Sequence, residues 1–528
     1  MQMSFIGYLV LILYVPAVLA LYQFLRPHRA CIAAYLIGWL FLPMGSIHLH
    51  GILDLSKVTM PSLAVLLATF LFDFDRLAKF QWRLWDIPML LWSICPIFSS
   101  LMNHLGLYDA IATITNQWIG VWGLPYFLAR IYFDDVPSLR DLAIGIVLGG
   151  LLYTPLCLWE VRMSPQLHAK LYGFYQHDFG QTRRENAFRP MVFMQHGLAL
   201  AMFMGMSAVV AAGLWLSQSR QRVFGVTMFW AMVMLMVTTV LCHSMGATIL
   251  MLCGVATVLM VRTARSPWAL VIILLVPPLY MATRAQGLFS GQSLVKFIQP
   301  FSVDRAASLQ TRLTNENQFV AKAMQRPIEG YASTNWFPRD PVGGGFIGIP
   351  DGMWVIVLGK HGLIGLVSLT LAMLLPIWFF IRGGRGFWIW DRLSYGGGPG
   401  ILCVIPIVGQ GWLLVWVWDQ IAKRITDSAA MMVWASSLAC VAGLFMCDNL
   451  MNAMPNPIFV LAAGGLVSLC AGNWRLAGES EPHSADVRAV IPLWRPDGTS
   501  SLQPPAEFPE PAPFPTGGRA IRPALLRR

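Results

Sequence analysis

Residues 304–327 read DRAASLQTRLTNENQFVAKAMQRP, and they interrupt a chain that is otherwise mostly apolar. They belong to a polar stretch that extends from about residue 283 to about residue 350. A segment with so many charged and amide side chains is unsuited to lipid, because the hydrocarbon core offers them no partners. The stretch therefore separates a long N-terminal series of apolar segments from a shorter C-terminal series.

The apolar segments on both sides predict helices that cross a membrane. The chain has 528 residues, of which 56% are hydrophobic and 12% are charged, whereas soluble domains carry about 25% charged residues. Apolar runs of roughly 17 to 25 residues recur, and a helix of that length spans a bilayer. The 21 Trp residues also suit a membrane protein, since Trp is enriched at the interfaces. We therefore predict an all-α, polytopic membrane protein.

The apolar runs predict about thirteen membrane spans. Their approximate bounds are 4–25, 31–46, 59–73, 86–103, 110–131, 140–160, 191–216, 223–242, 246–262, 267–282, 351–381, 428–446 and 456–473. Residues 401–418 are apolar enough to span, but Trp412, Trp416 and Trp418 favour an interfacial or re-entrant segment. A count of one fewer or one more stays open. No basic residue precedes the first run, so we expect a retained helix rather than a cleaved signal peptide.

Basic residues in the short loops predict the orientation. The basic loops after the first, third, fifth, seventh and ninth spans fall on one side, which the positive-inside rule assigns to the cytoplasm. The N-terminus, residues 162–189 and residues 283–350 then face the exterior. The net charge of +11 is accounted for by such loops and by anionic lipid, so nucleic acid is not an expected partner.

This pattern divides the chain into four parts. They are N-terminal transmembrane helices at 1–282, a large external loop with an amphipathic helix at 283–350, C-terminal transmembrane helices at 351–473 and a cytoplasmic tail at 474–528. The tail is rich in Pro, Glu, Ser and Arg and is predicted to be disordered. The nine Cys lie in or beside apolar segments without CxxC spacing, so neither a zinc site nor a disulfide framework is indicated.

The first candidate site precedes the span at 191–216. Arg184 and Arg189 lie in a loop that is predicted to be external, and His196 follows near the start of the span. Positive charge on an external loop runs against the positive-inside bias, which favours an anion-binding role. The alternative is a local pair between Arg189 and Glu185, four residues apart.

The second candidate site is the amphipathic segment at 304–327. Its apolar residues have helical spacing, and Pro327 ends the pattern. Arg305 and Arg312 are seven residues apart, so they project from one face about 10 Å apart along the axis. Two planar guanidinium groups at that spacing could bracket a diphosphate. The alternative is a solvated helix with an Arg312–Glu316 pair.

The third candidate site follows it. Gly330 and the cluster Gly343–Gly345 allow unusual backbone angles and close approach to a ligand. Asp351 stands where the next membrane helix is predicted to begin. Its carboxylate could cap that helix, could act as a general base on an attacking hydroxyl, or could do both.

Taken in order, these features resemble the O-antigen ligase and polysaccharide polymerase family. The likeness covers roughly residues 180–370, together with the many-helix frame. It rests on Arg189-Pro190 before a helix, on Ser244-Met245-Gly246-Ala247, and on Ser308-x-x-x-Arg312 followed by Pro327-x-x-Gly330 and Lys360-His361-Gly362.

The resemblance implies a helical glycosyltransferase with a GT-C-like fold in the bacterial inner membrane. Such enzymes move a glycan from an undecaprenyl diphosphate carrier to an acceptor hydroxyl of a glycan or lipid, on the periplasmic face, and need no metal, nucleotide or other cofactor. By this likeness Arg189 and Arg312 hold the diphosphate, and Asp351 and Arg312 are catalytic. Further substrate contacts are expected from Arg184, Arg305, His196 and Lys322. Membrane lipid and other polysaccharide biosynthesis proteins are the expected surroundings.

Two departures favour a polymerase of exopolysaccharide or O-antigen repeats over an O-antigen ligase. Asp351-Gly352 stands where ligases of this family carry His, often His-Asn, and Met245 replaces an Arg. Two other functions remain as alternatives. A lipid-linked glycan transporter or flippase would grip the same diphosphate without a catalytic carboxylate, and a scaffold of a polysaccharide secretion complex would need none of these side chains.

Overall fold

A computed structural model describes residues 3–48, 53–184, 187–217, 222–223, 225–334, 336–338, 348–383 and 428–471. The predicted tail at 474–528, the Trp-rich segment at 401–418 and the glycine cluster Gly343–Gly345 lie outside the described residues. Glu185, the suggested partner of Arg189, also lies outside them.

The described residues form eighteen α-helices. Nine lie before the first candidate site: α1 Phe5–Phe24, α2 Pro27–Phe41, α3 Met60–Phe72, α4 Phe74–Ala78, α5 Ile87–Met102, α6 Gly106–Ile119, α7 Gly123–Tyr132, α8 Val136–Met163 and α9 Leu167–Tyr172. The others are α10 Gly197–Leu216, α11 Met228–Leu241, α12 Met245–Ala264, α13 Trp268–Ala285, α14 Gln292–Ile298, α15 Val303–Ala323, α16 Met353–Gly383, α17 Ser428–Asp448 and α18 Pro457–Ala471.

Three short antiparallel hairpins connect some of these helices. They pair β1 Ser46–Ile47 with β2 Leu55–Ser56, β3 Arg183–Arg184 with β4 Ala187–Phe188, and β5 Arg222–Val223 with β6 Val226–Thr227.

Eight helices are long and apolar enough to cross a membrane, and three shorter apolar helices accompany them in the described part of the chain. The all-α, multi-pass character predicted from composition is therefore confirmed, whereas the count of about thirteen spans is not. The predicted span at 110–131 is wrong, because the chain breaks at Gly120–Trp122 into α6 and α7. The span predicted from 191 starts as a helix only at Gly197, after a turn at 191–196.

Helix α10 forms the centre of the bundle. It packs against α8, α11, α12 and α17, and almost all of its side chains are buried. Small residues make this close approach possible, as is common between membrane helices. A Cβ atom on Gly213, for example, would lie 2.6 Å from the side chain of Ser437 in α17.

The amphipathic segment forms helix α15, as its apolar spacing predicts. Ser302 caps its start by accepting a hydrogen bond from Arg305 N, and Leu313, Phe319 and Val320 face inward. Helix α15 packs on α14 and on α16, so the polar stretch is anchored to the membrane helix that follows it.

Candidate functional site

Arg312 and Asp351 meet where α15 crosses the start of α16. Arg312 Nε lies 3.9 Å from Asp351 Oδ2, and the side chains are 29% and 41% exposed. Asp351 stands two residues before α16, and Arg312 lies midway along α15. The fold thus pairs a guanidinium and a carboxylate that are 39 residues apart in sequence.

The loop between α17 and α18 supplies the third wall of this site. Arg312 Nη1 donates hydrogen bonds to Met451 O at 3.2 Å and to Asn452 Oδ1 at 2.9 Å. Asn452 in turn donates to Asp448 Oδ1 at 2.7 Å, and Met353 N donates to Asn449 O at 2.9 Å. These bonds hold Arg312 in place beside Asp351, and sequence analysis assigned none of these loop residues to the site.

A small cleft opens at this junction. It is lined by Arg312, Glu316, Pro350, Asp351, Gly352, Val355 and Met451. Its free space is comparable to about one water molecule, so a diphosphate requires the cleft to widen. Two carboxylates and one guanidinium therefore share a confined, partly desolvated space.

Burial changes the acidity of both carboxylates. Burial raises the pKa of Asp351 above its ordinary value, and the neighbouring Arg312 partly opposes this effect. Burial also raises the pKa of Glu316, against the opposing influence of Arg284. A raised pKa makes Asp351 a better proton acceptor than an ordinary, fully solvated carboxylate.

Glu316 belongs to a buried network rather than to an Arg312–Glu316 pair. Arg284 Nε lies 2.6 Å from Glu316 Oε1, with side-chain exposures of only 2% and 6%. Tyr280 Oη donates to the same carboxylate at 3.0 Å, and Arg284 also donates to Leu313 O at 3.2 Å. The predicted alternative for Arg312 is therefore corrected, because Glu316 is held by α13 and Arg312 is left to face Asp351.

We expect Arg284→Met to destabilise the protein by about 3–5 kcal/mol, because it leaves the Glu316 carboxylate buried without its cation. The double variant Arg284→Met/Glu316→Leu should recover much of that loss, since neither charge then remains buried. Thermal unfolding in lipid nanodiscs measures both, with Arg29→Ala, which breaks an exposed contact to Asp141, as a control. A double variant no more stable than Arg284→Met would contradict this account.

Arg189 is anchored to the turn before α12. Its side chain is buried, and Nη2 donates to His243 O at 3.1 Å in the turn before α12. Gly197 leaves room for it, because a Cβ there would lie 2.4 Å from Arg189 Cδ. Glu160 fixes the following turn by accepting backbone bonds from Met191 N and Val192 N at 2.8 and 2.7 Å.

The 449–456 loop links the Arg189 region to the Arg312 site. Gln195 Nε2 contacts Met454 Sδ at 3.2 Å, and Met451 and Asn452 of the same loop hold Arg312. We call Arg189, Arg312 and the 449–456 loop that connects them the polar layer. Each arginine is anchored to a different turn.

His196 and Lys322, which were also predicted as substrate contacts, do not line the Arg312–Asp351 cleft. His196 Nδ1 accepts a hydrogen bond from Leu198 N and caps α10, and its ring lies 4.6 Å from that of His177. Lys322 lies 5.2 Å from the ring of Tyr331 and donates to Gln325 at 3.0 Å. Lys322 is ten residues beyond Arg312, about 15 Å along α15, so it is not brought to Asp351.

Arg305 and Arg184 lie on two different elements. Arg305 is in the first turn of α15, seven residues before Arg312. Arg184 lies on β3, paired with Ala187. Their predicted contacts with substrate stay predictions.

The Pro327–Gly330 segment packs directly on α16. Leu363 N donates to Pro327 O at 2.7 Å, and Tyr331 N and Ala332 N donate to Gly359 O and Lys360 O, both at 2.8 Å. Gly330 and Gly362 both have positive φ, 66° and 62°, and α16 is kinked at Gly362. The expectation that Gly330 admits a ligand is therefore corrected, because it admits the backbone of α16.

Among the described residues, no group of three or more His, Cys, Asp or Glu side chains could hold a metal ion. The chain matches no protein-family model, no curated protein and no solved structure.

Proposed function

We propose that this chain is a membrane glycosyltransferase that transfers a glycan from an undecaprenyl-diphosphate-linked donor to an acceptor hydroxyl. The observation that carries the proposal is the Arg312–Asp351 contact in a partly buried cleft at the start of a membrane helix. It supports a reaction that needs a cation for a phosphate leaving group and a base for a hydroxyl. The resemblance and its departures favour a polymerase of glycan repeats, with the ligase as the second form of the same chemistry.

The proposed step balances without any cofactor. Asp351 accepts the proton of the acceptor hydroxyl as its oxygen attacks the anomeric carbon of the donor sugar. A new glycosidic C–O bond forms, and the bond between that carbon and the diphosphate oxygen breaks. The diphosphate leaves with the electron pair, and the guanidinium of Arg312 stabilises its charge. The cleft must first open between α15 and α16 to admit the donor.

The buried charge in α7 does not support the transporter alternative. Arg130 in α7 is buried, but its Nε and Nη2 both donate to Asp86, at 3.0 and 3.2 Å. A charge that is paired on two sides and also bonded to Ser468 at 3.1 Å stabilises the packing of α7 and α18. It is not placed as a free charge along a transport path.

The test is to delete the protein from its own cell and follow the lipid-linked glycans. Loss of polymer with single lipid-linked repeats on the external face would support a polymerase, and accumulation of full-length lipid-linked chains would support a ligase. Accumulation on the cytoplasmic face would identify a flippase and overturn the proposal. Polymer unchanged in length and amount, with only its export reduced, would favour the scaffold.

The pH dependence of the transfer rate should show whether residue 351 is the general base. Because the base acts when deprotonated, activity falls as the pH falls through its pKa, which burial places above the ordinary carboxyl value. Asp351→His should move this acidic limb upward, towards the ordinary His pKa of about 6.5. Initial rates in isolated membranes with extracted donor measure both profiles. An acidic limb that is identical in the two proteins would exclude residue 351 as the base.

A further inference from the structure

A second and much larger cavity lies beside the first turns of α16. Its cavity volume is about 330 Å³, at the lower end of the range of small-molecule sites. Helix α16 contributes one face, and helices α5 and α6 with the segment that follows α6 close the other sides. The lining residues are Trp92, Thr113, Asn116, Gln117, Val121, Trp122, Met353, Ile356, Val357, Lys360 and His361.

Helix α6 is built to line such a cavity. Thr113, Asn116 and Gln117 fall at i, i+3 and i+4, so they share one helical face, and all three line the cavity. Leu107 and Ile111 are exposed, each at 61%. A helix with an exposed apolar surface and a polar face suits a membrane interface. Of its two amides, Gln117 reaches inwards to His361, whereas Asn116 is exposed and donates to Ala112 O.

Three polar atoms without hydrogen-bond partners lie just behind the surface of the cavity wall. Gln117 Nε2 lies 2.8 Å from His361 Nε2, in a hydrogen bond. Among the described residues, Gln117 Oε1, His361 Nδ1 and Trp92 Nε1 are buried and make no hydrogen bond. Whichever way the Gln117 amide is turned, one of its two polar atoms keeps no partner. Buried polar groups without partners are costly, so a rotation of Gln117 or His361 that turns such an atom towards a bound ligand is favoured.

The chemistry of the lining selects the guest. The indole Nε1 is a donor, the amide oxygen is an acceptor, and a neutral imidazole offers one of each, whereas a sugar hydroxyl both donates and accepts. The two indoles and the apolar side chains of α16 suit the C–H faces of sugar rings. The described lining contains no carboxylate and one cation, Lys360, so a metal ion is disfavoured. A prenyl chain would leave Gln117 Oε1 and His361 Nδ1 without partners.

We propose that this cavity is a saccharide-binding subsite that takes neutral sugar units. It shares α16 with the Asp351 cleft, since Met353, Ile356, Val357 and Lys360 line the cavity while Gly352 and Val355 line the cleft. Asp351 and Lys360 are nine residues apart, about 13 Å along the axis. The inference rests on the proposed function only in assigning the saccharide to the glycan of the substrate.

Binding can be tested without any transfer reaction. The full chain is placed in phospholipid nanodiscs, which avoids detergents with sugar headgroups, and is titrated with cellotetraose and with N,N′-diacetylchitobiose by calorimetry or saturation-transfer NMR. We expect saturable binding of at least one probe. Gln117→Leu and Asn116→Leu should weaken it about tenfold, the effect of about 1.4 kcal/mol, while unfolding temperatures stay near that of the wild type.

Thr115→Val is the matched control, because Thr115 lies on the same helix, bonds to Ile111 O within it and is absent from the lining. The inference is overturned if neither sugar binds the wild type at millimolar concentration, if Gln117→Leu binds as the wild type does, or if farnesol displaces the bound sugar completely. If sugar binding depends on Gln117 but glycan transfer is not found, the subsite stands and the proposed function fails. If transfer is found but neither sugar binds, the proposed function stands and the subsite is rejected.

Discussion

Arg312→Ala and Asp351→Asn should each remove glycan transfer while the protein stays in the membrane at the wild-type level. Loss of a preorganised cation at a developing phosphate charge costs roughly 10²–10³-fold in rate. Loss of a positioned general base costs roughly 10²–10⁴-fold. Because both side chains are partly exposed at a cleft rather than in the helix core, these substitutions should leave the fold intact. The measurement is polymer length and carrier-linked intermediates in cells that express each variant.

Two further variants sharpen this result. Arg312→Lys keeps the charge but loses the planar guanidinium, whose Nη1 bonds to Met451 O and Asn452 Oδ1 and whose Nε faces Asp351. It should therefore retain only part of the activity. Arg29→Ala and Asp141→Asn break a comparable Arg–Asp pair, 2.7 Å apart, in the predicted cytoplasmic layer. They should leave transfer unchanged. Wild-type polymer from both Arg312→Ala and Asp351→Asn would reject the assigned roles and favour the scaffold.

Gly330→Ala and Gly362→Ala should prevent stable folding of the α15–α16 junction. A Cβ on Gly330 would lie 2.6 Å from the backbone of Lys360 and Gly362, and one on Gly362 would lie 2.1 Å from Ile328 O. Neither contact is relieved by a rotamer change, because the opposing atoms are backbone. Positive φ adds about 1–2 kcal/mol and overpacking about 1–3 kcal/mol, so each variant should lose roughly 2–5 kcal/mol.

The chain offers controls that separate these two costs. Gly287 has a positive φ of 71° but nothing within 4 Å of an added Cβ, and Gly246 has open space without a positive φ. Thermal unfolding in nanodiscs should therefore rank Gly246→Ala nearest to the wild type, Gly287→Ala lower, and Gly330→Ala and Gly362→Ala lowest. If Gly330→Ala unfolds with Gly287→Ala, the close backbone packing carries no stability of its own.

The polar layer could be predicted only in part. The violation of the positive-inside bias drew attention to Arg189, and the seven-residue spacing drew attention to Arg312. These patterns do not predict the partners of the two arginines, because His243 O and Met451 O are backbone atoms of turns far away in sequence. The four-residue spacing offers Arg312–Glu316 as an alternative local pair, whereas burial against α13 pairs Glu316 with Arg284.

One sequence pattern indicates the cavity that α6 lines. Thr113, Asn116 and Gln117 place three polar side chains on one helical face inside an otherwise apolar run. The apolar mean composition of the run nevertheless predicts a single span. Gly120 permits the break at Gly120–Trp122, since a Cβ on it would lie 2.4 Å from Asn116 O.

The sequence by itself determined that this is a helical, multi-pass membrane protein and that its polar stretch contains an amphipathic helix. Those properties follow from composition and from periodicity, which act within one segment at a time. Only the tertiary structure decided which residues meet. Asp351 faces Arg312, Glu316 pairs with Arg284, and Gly330 packs against Gly362. These are contacts between segments, and their choice depends on which partner is nearest once the helices have packed and water has been excluded.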